Sequence, residues 1–554
     1  MFSNREIRRL FAIYAELLLL HEKDERLAGM LSGAAYRIKR IDEPLMQMTN
    51  AELSKEFRPE IISILHELKT RHTVEALDEL IQLTPAGLFE MMRIKGLGGK
   101  KLSVLWKTAG IDNVEMLLKA AKHGELRKIS GFGRKTEQNI IESIENYFSH
   151  QHRFHYAFVA DIADALVQFL QKTLKTKLIS LCGEIRRQNL TVESIEISTA
   201  APAKKFTLPL LRKQLIVDSS NKQETTAHTL DEFPVVIYHT TTPNYHYDLF
   251  CRTGNNEHVK KILSKCKGKK SFTSEEVIYK QSGYSYVVPE MREDVAEWTF
   301  SKSKDDLITT EAIKGVVHNH TRWSDGIDGL PEFVAACKKK GYEYAVISDH
   351  SKNAHYAGGL KEEKLYKQLA QIDELNNKLK PFKIFKSIEC DILVSGELDF
   401  NNDVLKQLDL VIVSVHQLLK MDEDRATKRL IKAIENPYTT ILGHMTGRQL
   451  LIRPGYPVNF RKIIDACAAN NVIIEINANP YRLDMDWTQL PYALKKKVMI
   501  SINPDAHSIG EIDNIRWGVS AARKGGLTRD MTWNAMPLKR IEEWLKARNK
   551  SRRR

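Results

Sequence analysis

The chain has 554 residues, more than one hydrophobic core can serve, so three or four domains are expected. Its 42% hydrophobic and 28% charged residues indicate a soluble globular protein, and no apolar run approaches the roughly 18 residues that cross a bilayer. The charged N-terminus lacks a secretory signal, and six cysteines without a CxxC spacing argue against a disulfide framework, so we predict a cytoplasmic protein. A net charge of +14 favours polyanionic partners.

Residues 1 to about 145 show helical apolar spacing interrupted by two similar glycine turns, IKGLGGKK at 94–101 and ISGFGRKT at 129–136. Glycines let such a turn present backbone N–H groups to a phosphate, and a basic side chain follows each turn at the start of the next helix. One such turn could be a simple helix end, but two favour binding to a nucleic-acid backbone without sequence specificity. The predicted DNA-binding residues are Gly96, Gly98, Lys100, Gly131, Gly133, Arg134 and Lys135.

Beyond a mixed region at about 155–300, seven apolar β-type runs alternate with helical stretches to the end of the chain. This alternation predicts a parallel sheet, and its regularity indicates a closed barrel. Nearly every run ends in a residue type that binds metals, and parallel strands bring such ends together at one face. The predicted ligands of two or three divalent ions, of Mn, Zn or Fe, are His318, His320, Asp349, His350, Glu389, His416, His444, Asp505 and His507. Asp325 is predicted to cap a helix instead.

The segments HNHTRWSDG, VISDHS, IECDIL, SVHQ, LGHMTGR and NPDAHS resemble, in order, the motifs of the polymerase and histidinol phosphatase (PHP) domain. The resemblance implies a metal-dependent phosphoesterase whose catalytic centre includes His318 and His320. Arg448 in LGHMTGR is a candidate clamp for the phosphate group, with an ordinary surface arginine as the alternative.

Together with the glycine turns, these motifs resemble bacterial family X DNA polymerases over essentially the whole chain. The fold class implied is multidomain: an α-helical N-terminal region with helix-hairpin-helix motifs, an α+β nucleotidyltransferase-like palm and a distorted seven-stranded C-terminal PHP barrel. The corresponding segments are a helical lyase-like domain at 1–84, the helix-hairpin-helix region at 85–148, a degenerate palm and thumb-like region at 149–299, a linker at 300–311 and the PHP domain at 312–554. Lys39 in AAYRIKRI is a candidate Schiff-base lysine, or else a solvated helix lysine.

The palm departs from the family pattern in CGEIRRQNLTVESIEIS, the segment at 182–198. Two-metal nucleotidyl transfer needs two aspartates alternating on one strand, because residues i and i+2 face the same ions. Ser194 and Glu196 stand at those places, and Glu184 replaces the serine expected to face the triphosphate. The third palm carboxylate is also missing, since the strand PVVIYHT offers only valines there. Arg187 could still hold a phosphate or serve as a scaffold residue.

The sequence therefore predicts a monomeric DNA-repair protein that acts on gapped or 3′-recessed DNA. Its PHP domain would be a 3′-to-5′ exonuclease, and polymerase activity would be lost. Three alternatives remain open: a gap-filling family X polymerase, a small-molecule phosphatase of the histidinol phosphate type, and a DNA-binding protein without catalysis.

Overall fold

The computed structural model describes residues 2–38, 41, 43–94, 96–149, 151–207, 209–266 and 268–552. The chain divides into two compact units, Met1–Gln151 and His152–Arg554. The candidate Schiff-base residue Lys39 lies outside the described residues. Among the described residues, no helix is both long enough and apolar enough to cross a membrane.

The first unit is helical throughout the part that the structure describes. Ser3 and Glu6 form a reciprocal capping box at the first helix, and Thr49 and Glu52 form another at the third, each satisfying backbone N–H groups that a helix start leaves unpaired. The apolar faces of these helices pack into one core. The helices are α1 (Asn4–Leu20), α2 (Glu25–Ile38), α3 (Asn50–Glu56), α4 (Pro59–Arg71), α5 (Glu75–Leu83), α6 (Ala86–Met91), α7 (Gly99–Ala109), α8 (Val114–Lys122) and α9 (Arg134–Ser149).

The second unit begins with a mixed-sheet part, residues 152–299. Its five-stranded sheet has the order β2-β4-β7-β6-β5, in which β4 and β7 are parallel and the other neighbours antiparallel. The elements are β1 (Phe154–His155), α10 (Tyr156–Leu174), β2 (Ile179–Leu181), α11 (Gly183–Arg186), β3 (Thr191–Val192), β4 (Ile195–Thr199), β5 (Leu215–Ser220), β6 (Glu224–Thr229), β7 (Pro234–His239), α12 (Tyr245–Thr253), α13 (Asn256–Leu263) and α14 (Glu275–Ser282).

The parallel-strand part, residues 312–552, alternates short buried strands with helices, as the hydrophobic pattern predicts. Its elements are β8 (Gly315–Asn319), α15 (Leu330–Lys339), β9 (Tyr344–Ile347), α16 (Glu362–Leu379), β10 (Lys383–Lys386), β11 (Glu389–Asp391), α17 (Asn402–Leu405), β12 (Ile412–Ser414), α18 (Glu423–Ile434), β13 (Ile441–Leu442), α19 (Phe460–Asn470), β14 (Ile473–Asn477), α20 (Leu490–Lys495), β15 (Ile500–Asn503), α21 (Ile515–Lys524) and α22 (Leu538–Arg552).

These strands form one sheet with the order β10-β9-β8 and another with the order β11-β12-β13-β14-β15, all parallel. The run FKIFKSIE, which the sequence predicts as one strand, forms both β10 and β11, because the chain leaves the first sheet after Lys386 and joins the second at Glu389. Single parallel bridges, Asn319 to Ala506 and His350 to Glu389, connect the two sheets on both sides. Seven strands are thus linked in a closed order, with β10 attached outside it.

The two parts of the second unit share a buried polar contact. The ammonium of Lys524, at the end of α21, donates to the carbonyl oxygens of Arg187 at 2.7 Å and Glu290 at 3.3 Å, and to the Glu293 carboxylate at 2.7 Å. It also donates to Asn189 Oδ1 at 3.0 Å. The charge of a fully buried lysine is therefore compensated almost entirely by the mixed-sheet part.

Candidate metal centre and nucleic-acid contacts

Eight of the nine predicted metal ligands come together in one cluster, most of them at or just after the carboxyl ends of the parallel strands. Potential ligand atoms fall into four groups, within each of which the atoms lie within 4.8 Å of one another. The groups are His318, Glu389 and His444; His318, His320 and Asp505; His350, Glu389 and His416; and His320, Asp325, His350 and His507. Since the groups share members, the arrangement suits several ions bound side by side.

Glu389, the first residue of β11, lies at the centre of the cluster and is buried. Its Oε1 atom is 3.2 Å from Nε2 of His318, 3.2 Å from Nε2 of His416 and 3.0 Å from Nε2 of His444. Its Oε2 atom is 2.9 Å from Nδ1 of His350. The two carboxylate oxygens therefore face different histidines, and Glu389 belongs to two of the candidate ligand groups.

Two carboxylates that the sequence prediction missed contact the Nδ1 atoms of two of these histidines and so fix the orientation of their rings. Glu475 on β14 is 2.6 Å from Nδ1 of His318, and Asp391 on β11 is 2.5 Å from Nδ1 of His416. Such contacts fix the tautomer and leave the opposite ring nitrogen free to bind a metal. A signal was present in the sequence, because Glu475 is the one charged residue of the apolar run VIIEIN, and Asp391 follows Glu389 by two residues on the same strand.

The structure places Asp325, predicted as a helix cap, in the cluster and Asp349, predicted as a ligand, in a hydrogen-bond network beside it. The Asp325 carboxylate is not directed at a helix but lies 3.5 Å from Nε2 of His507 and 3.7 Å from Nε2 of His350. Asp349, predicted as a ligand, instead accepts hydrogen bonds from the amide and hydroxyl of Thr321, both at 2.8 Å, and from the hydroxyl of Ser324 at 2.6 Å. Its carboxylate fixes the loop after β8 and belongs to none of the four groups.

Arg448, predicted as a phosphate clamp, uses its guanidinium nitrogens for hydrogen bonds within the protein. Its Nε atom donates to the carbonyl oxygen of Arg482 at 2.9 Å, and its two terminal nitrogens donate to Asp486 and to the carbonyl oxygen of Leu483. The neighbouring Arg482 is better placed, since its Nε atom is 3.6 Å from Oδ2 of Asp505 at the cluster. The structure therefore moves the candidate phosphate contact from Arg448 to Arg482.

The cluster has the properties expected of a site for divalent cations. Nε2 of His318, Nε2 of His320, Nδ1 of His350 and Oε2 of Glu389 are buried and make no hydrogen bond within the described structure. Buried polar atoms without partners are costly, and a bound cation would satisfy all of these. Burial, together with His507 and His350, lowers the pKa of His320 to about 3, which favours the neutral form that binds metals, whereas the carboxylates around His318 raise the pKa of that ring.

Backbone conformation supports a specialised role for two of these residues. His318 and Asp505 both have left-handed φ angles, of 64° and 52°. Residues with a Cβ atom adopt this region at a cost, and such costs concentrate at functional sites. The ends of β8 and β15 are therefore shaped to direct these two side chains into the cluster.

The segment at 182–198, predicted to be a degenerate palm motif, lies in the mixed-sheet part. Ser194 lies in the bend before β4, and Glu196 on β4 pairs with Val236 of the parallel neighbour β7. The Glu196 carboxylate accepts from the amide of Glu184 at 3.3 Å, and burial raises its pKa. None of the groups that could hold a metal in the described chain includes a residue of this part.

The charged residues beside this motif are engaged in ion pairs. Glu184 pairs with Arg153 at 2.9 Å, so it does not face a nucleotide as an unpaired carboxylate. Arg187 donates to Glu293 at 3.0 Å and to the carbonyl oxygen of Thr253 at 2.8 Å. Of the two roles considered for Arg187, the structure supports the scaffold.

The two glycine turns of the first unit have the same local form. Gly96 and Gly131 have φ angles of 88° and 87°, which explains why glycine is needed there. In each turn the apolar middle residue, Leu97 or Phe132, is buried. The flanking predicted DNA-binding residues, Gly96, Gly98 and Lys100 in the first turn and Gly131, Gly133, Arg134 and Lys135 in the second, are exposed.

The two turns differ in the contacts that their residues make with the rest of the protein. At the first, Glu16 accepts from the amide of Gly99 at 2.5 Å, and Lys100 pairs with Glu25 at 2.8 Å. A carboxylate thus already occupies one amide at the start of α7. At the second turn, Arg134 and Lys135 begin α9 on the exposed surface.

Fold and site together define a multidomain protein that joins a helical hairpin region to an α/β domain with a buried cluster suited to divalent metals. Residues 89–146, which include both glycine turns, match the family model described as a SAM-like helix-hairpin-helix tandem. The chain is 31% identical to the DNA polymerase/3′-5′ exonuclease PolX of Bacillus subtilis (strain 168), over 98% of this chain and 99% of that protein. The chain belongs to this family of bacterial family X DNA polymerases, and the family predicted from the motifs is confirmed.

Two shorter relatives are named probable phosphatases. The one from Thermoanaerobacter sp. (strain X514) is 29% identical over 42% of this chain and 94% of its own length. The one from Caldanaerobacter subterraneus subsp. tengcongensis is 27% identical over 35% of this chain and 78% of its own length. A phosphatase-like segment thus exists without the rest of this chain.

Proposed function

We propose that the histidine and carboxylate cluster hydrolyses phosphodiester bonds at the 3′ ends of DNA, as a metal-dependent 3′-to-5′ exonuclease. The observation that carries the proposal is the convergence of buried imidazoles around Glu389 with unsatisfied ligand atoms. The name of the Bacillus subtilis relative includes this activity, and the relatives named probable phosphatases support hydrolysis at phosphorus. The parallel strands would form the PHP barrel and the mixed sheet the palm.

Two or three divalent ions, of Mn, Zn or Fe, would be held by the four ligand groups. Bound there, they would supply a Lewis acid that polarises the phosphate and balances the charge that develops during hydrolysis. Glu389 would bridge neighbouring ions, Asp325 would complete the group around His507, and Glu475 would orient His318. Arg482 would hold the negatively charged phosphate beside the cluster.

The palm is proposed to have lost nucleotidyl transfer. Replacement of the aspartates by Ser194 and Glu196 removes half of the carboxylate pair, and Val236 lies opposite Glu196 where a third acid would be needed. Glu184 and Arg187 are held in ion pairs. An active gap-filling polymerase would need a second carboxylate beside Glu196, and the residue two positions before it is Ser194.

DNA binding is assigned to the helix-hairpin-helix region, and the contacts would be to phosphates rather than bases. This region favours the proposal over a small-molecule phosphatase, which would have no use for two turns that contact a nucleic-acid backbone. The Thermoanaerobacter relative named a probable phosphatase matches only 42% of this chain. Gapped or 3′-recessed DNA, a monomeric state and a cytoplasmic location remain predictions.

Removal of the metal is expected to abolish shortening of a 3′-recessed duplex, because the ligand atoms alone provide no Lewis acid. The measurement uses chelator-treated full-length protein, assayed after separate addition of Mn, Zn or Fe, with metal content determined by mass spectrometry. At least one metal should restore the rate at two or three ions per chain. Full activity in the metal-free protein would contradict the proposal.

A further inference from the structure

Two exposed aromatic rings and one buried imidazole ring lie together where the mixed-sheet part meets the parallel-strand part. Phe158 on α10 and Tyr481 in the loop after β14 are each 45% exposed, and their ring centroids are 5.4 Å apart. The buried ring of His155 contacts both, with its centroid 5.3 Å from that of Phe158 and 4.9 Å from that of Tyr481. We call these three residues the aromatic platform.

The platform is fixed in place by polar contacts. His155 is within 3.1 Å of the carbonyl oxygen of Leu450, and burial lowers its pKa, so the ring is neutral. The amide of Leu450 donates to the carbonyl oxygen of Tyr481 at 2.6 Å, and the amide of Tyr481 donates to Asn479 Oδ1 at 3.0 Å. The rings are therefore held by a connected network and not by loose loop ends.

Packing of the two parts does not by itself account for the exposed rings. The two parts pack against each other through a separate buried cluster, in which Ala160 on α10 contacts Leu483, Trp517 and Ala521 of the parallel-strand part. Phe158 and Tyr481 contact each other at the rim of this junction and leave about half of their surface in solvent. Exposed aromatic faces are typical of surfaces that bind bases by stacking.

The chain connects the platform to the metal cluster through the next residue after Tyr481. Tyr481 is followed in the chain by Arg482, whose Nε atom is 3.6 Å from Asp505 Oδ2. One short loop thus carries the ring of Tyr481 and, at the next position, the guanidinium of Arg482 that contacts the cluster. Single-stranded nucleic acid offers the complementary series, because each nucleotide carries a flat base and a charged phosphate.

We propose that the aromatic platform stacks bases of a single-stranded DNA 3′ end while Arg482 holds the phosphate at the metal cluster. This inference rests on the proposed exonuclease function and names the form of its substrate. Phe158 and His155 belong to the mixed-sheet part, so that part would contribute to the nuclease through residues outside the degenerate palm motif. The DNA strand would be recognised without sequence preference, since every base has an aromatic face.

The test is the steady-state kinetics of full-length protein with Phe158→Ala plus Tyr481→Ala on a single-stranded oligonucleotide. We expect KM to rise about tenfold or more, since stacking contributes to binding of each base, while kcat changes little. Tyr481→Phe keeps the ring and should keep the wild-type KM, and Phe158→Ala alone should raise KM in the same direction. Tyr366→Ala, at a tyrosine that is 41% exposed on α16, is the matched control.

A second substrate isolates stacking from other effects. On an oligonucleotide whose 3′-terminal nucleotides are abasic, wild type and double variant should have the same KM, because no base remains to stack. Equal KM values on the base-carrying strand, with the wild type shortening it, would overturn the platform and leave the exonuclease proposal standing. Failure of the wild type to shorten either strand would overturn both.

Discussion

Glu389→Gln is expected to remove bound metal and to lower the rate of 3′-end shortening by about a thousandfold. The amide has the shape of the carboxylate but lacks its charge. Either orientation also turns an NH₂ group towards imidazole nitrogens, because Oε1 lies 3.0 Å from His444 and Oε2 lies 2.9 Å from His350. The variant therefore loses a charged ligand shared by two of the candidate groups and gains an N–H donor that cannot bind a cation.

Metal content per chain and the initial rate on a 3′-recessed duplex measure this effect together. Glu397→Gln is the matched control, because that glutamate pairs with Lys432 on the exposed surface. It should leave both quantities at their wild-type values. If Glu389→Gln retained its metal and its rate, the bridging role of Glu389 would be wrong.

Lys524→Met is expected to lower the free energy of unfolding by about 3–5 kcal/mol, the usual cost of removing one partner from a buried charge pair. Burial lowers the pKa of Lys524, but Glu293 at 2.7 Å favours the charged ammonium. Methionine fills similar space and leaves the carbonyl oxygens of Arg187 and Glu290 without this donor. The variant therefore loses one polar contact between the two parts of the second unit and keeps the buried cluster around Ala160.

Urea unfolding of the full-length chain, compared with the exposed control Lys539→Met, measures the change. The control should fall within about 0.5 kcal/mol of the wild type, as surface substitutions usually do. A similarly small change for Lys524→Met would show that the buried network does not hold the two parts together.

The sequence motifs predicted which residues lie together at the strand ends, because the pattern of an apolar run followed by a possible metal ligand involves only neighbouring residues. Each apolar run is followed by its ligand within one or two residues, and parallel topology alone brings such ends together. Glu389, His416 and His444 could be assigned in this way. The family was recognisable from the same motifs.

Asp325 and Asp349 show where local reasoning fails. Asp349 and His350 are adjacent at the end of an extended strand, so their side chains point to opposite sides and only one can face the cluster. Asp325 returns to the cluster because the chain turns sharply after β8, where a Cβ atom on Gly326 would lie 2.4 Å from the carbonyl oxygen of His320. This turn depends on the tertiary fold and has no periodic signal.

Arg448 and Arg482 could not be distinguished from sequence for a similar reason. Both are arginines in loops that follow strands, and the sequence favours Arg448 only because it comes soon after His444. The hydrogen bond from Arg448 to the carbonyl oxygen of Arg482 joins two loops separated by 34 residues. Contacts between distant loops decide which guanidinium remains available.

The most direct test of the account is a Mn-supplemented assay on 3′-recessed and gapped DNA, with and without dNTPs. It compares the wild type with the His318→Ala plus His320→Ala variant. The account predicts that the wild type shortens the 3′ strand, that the variant does not, and that neither protein extends it. Extension by both proteins would mean that the palm is active despite Ser194 and Glu196, and would contradict the account.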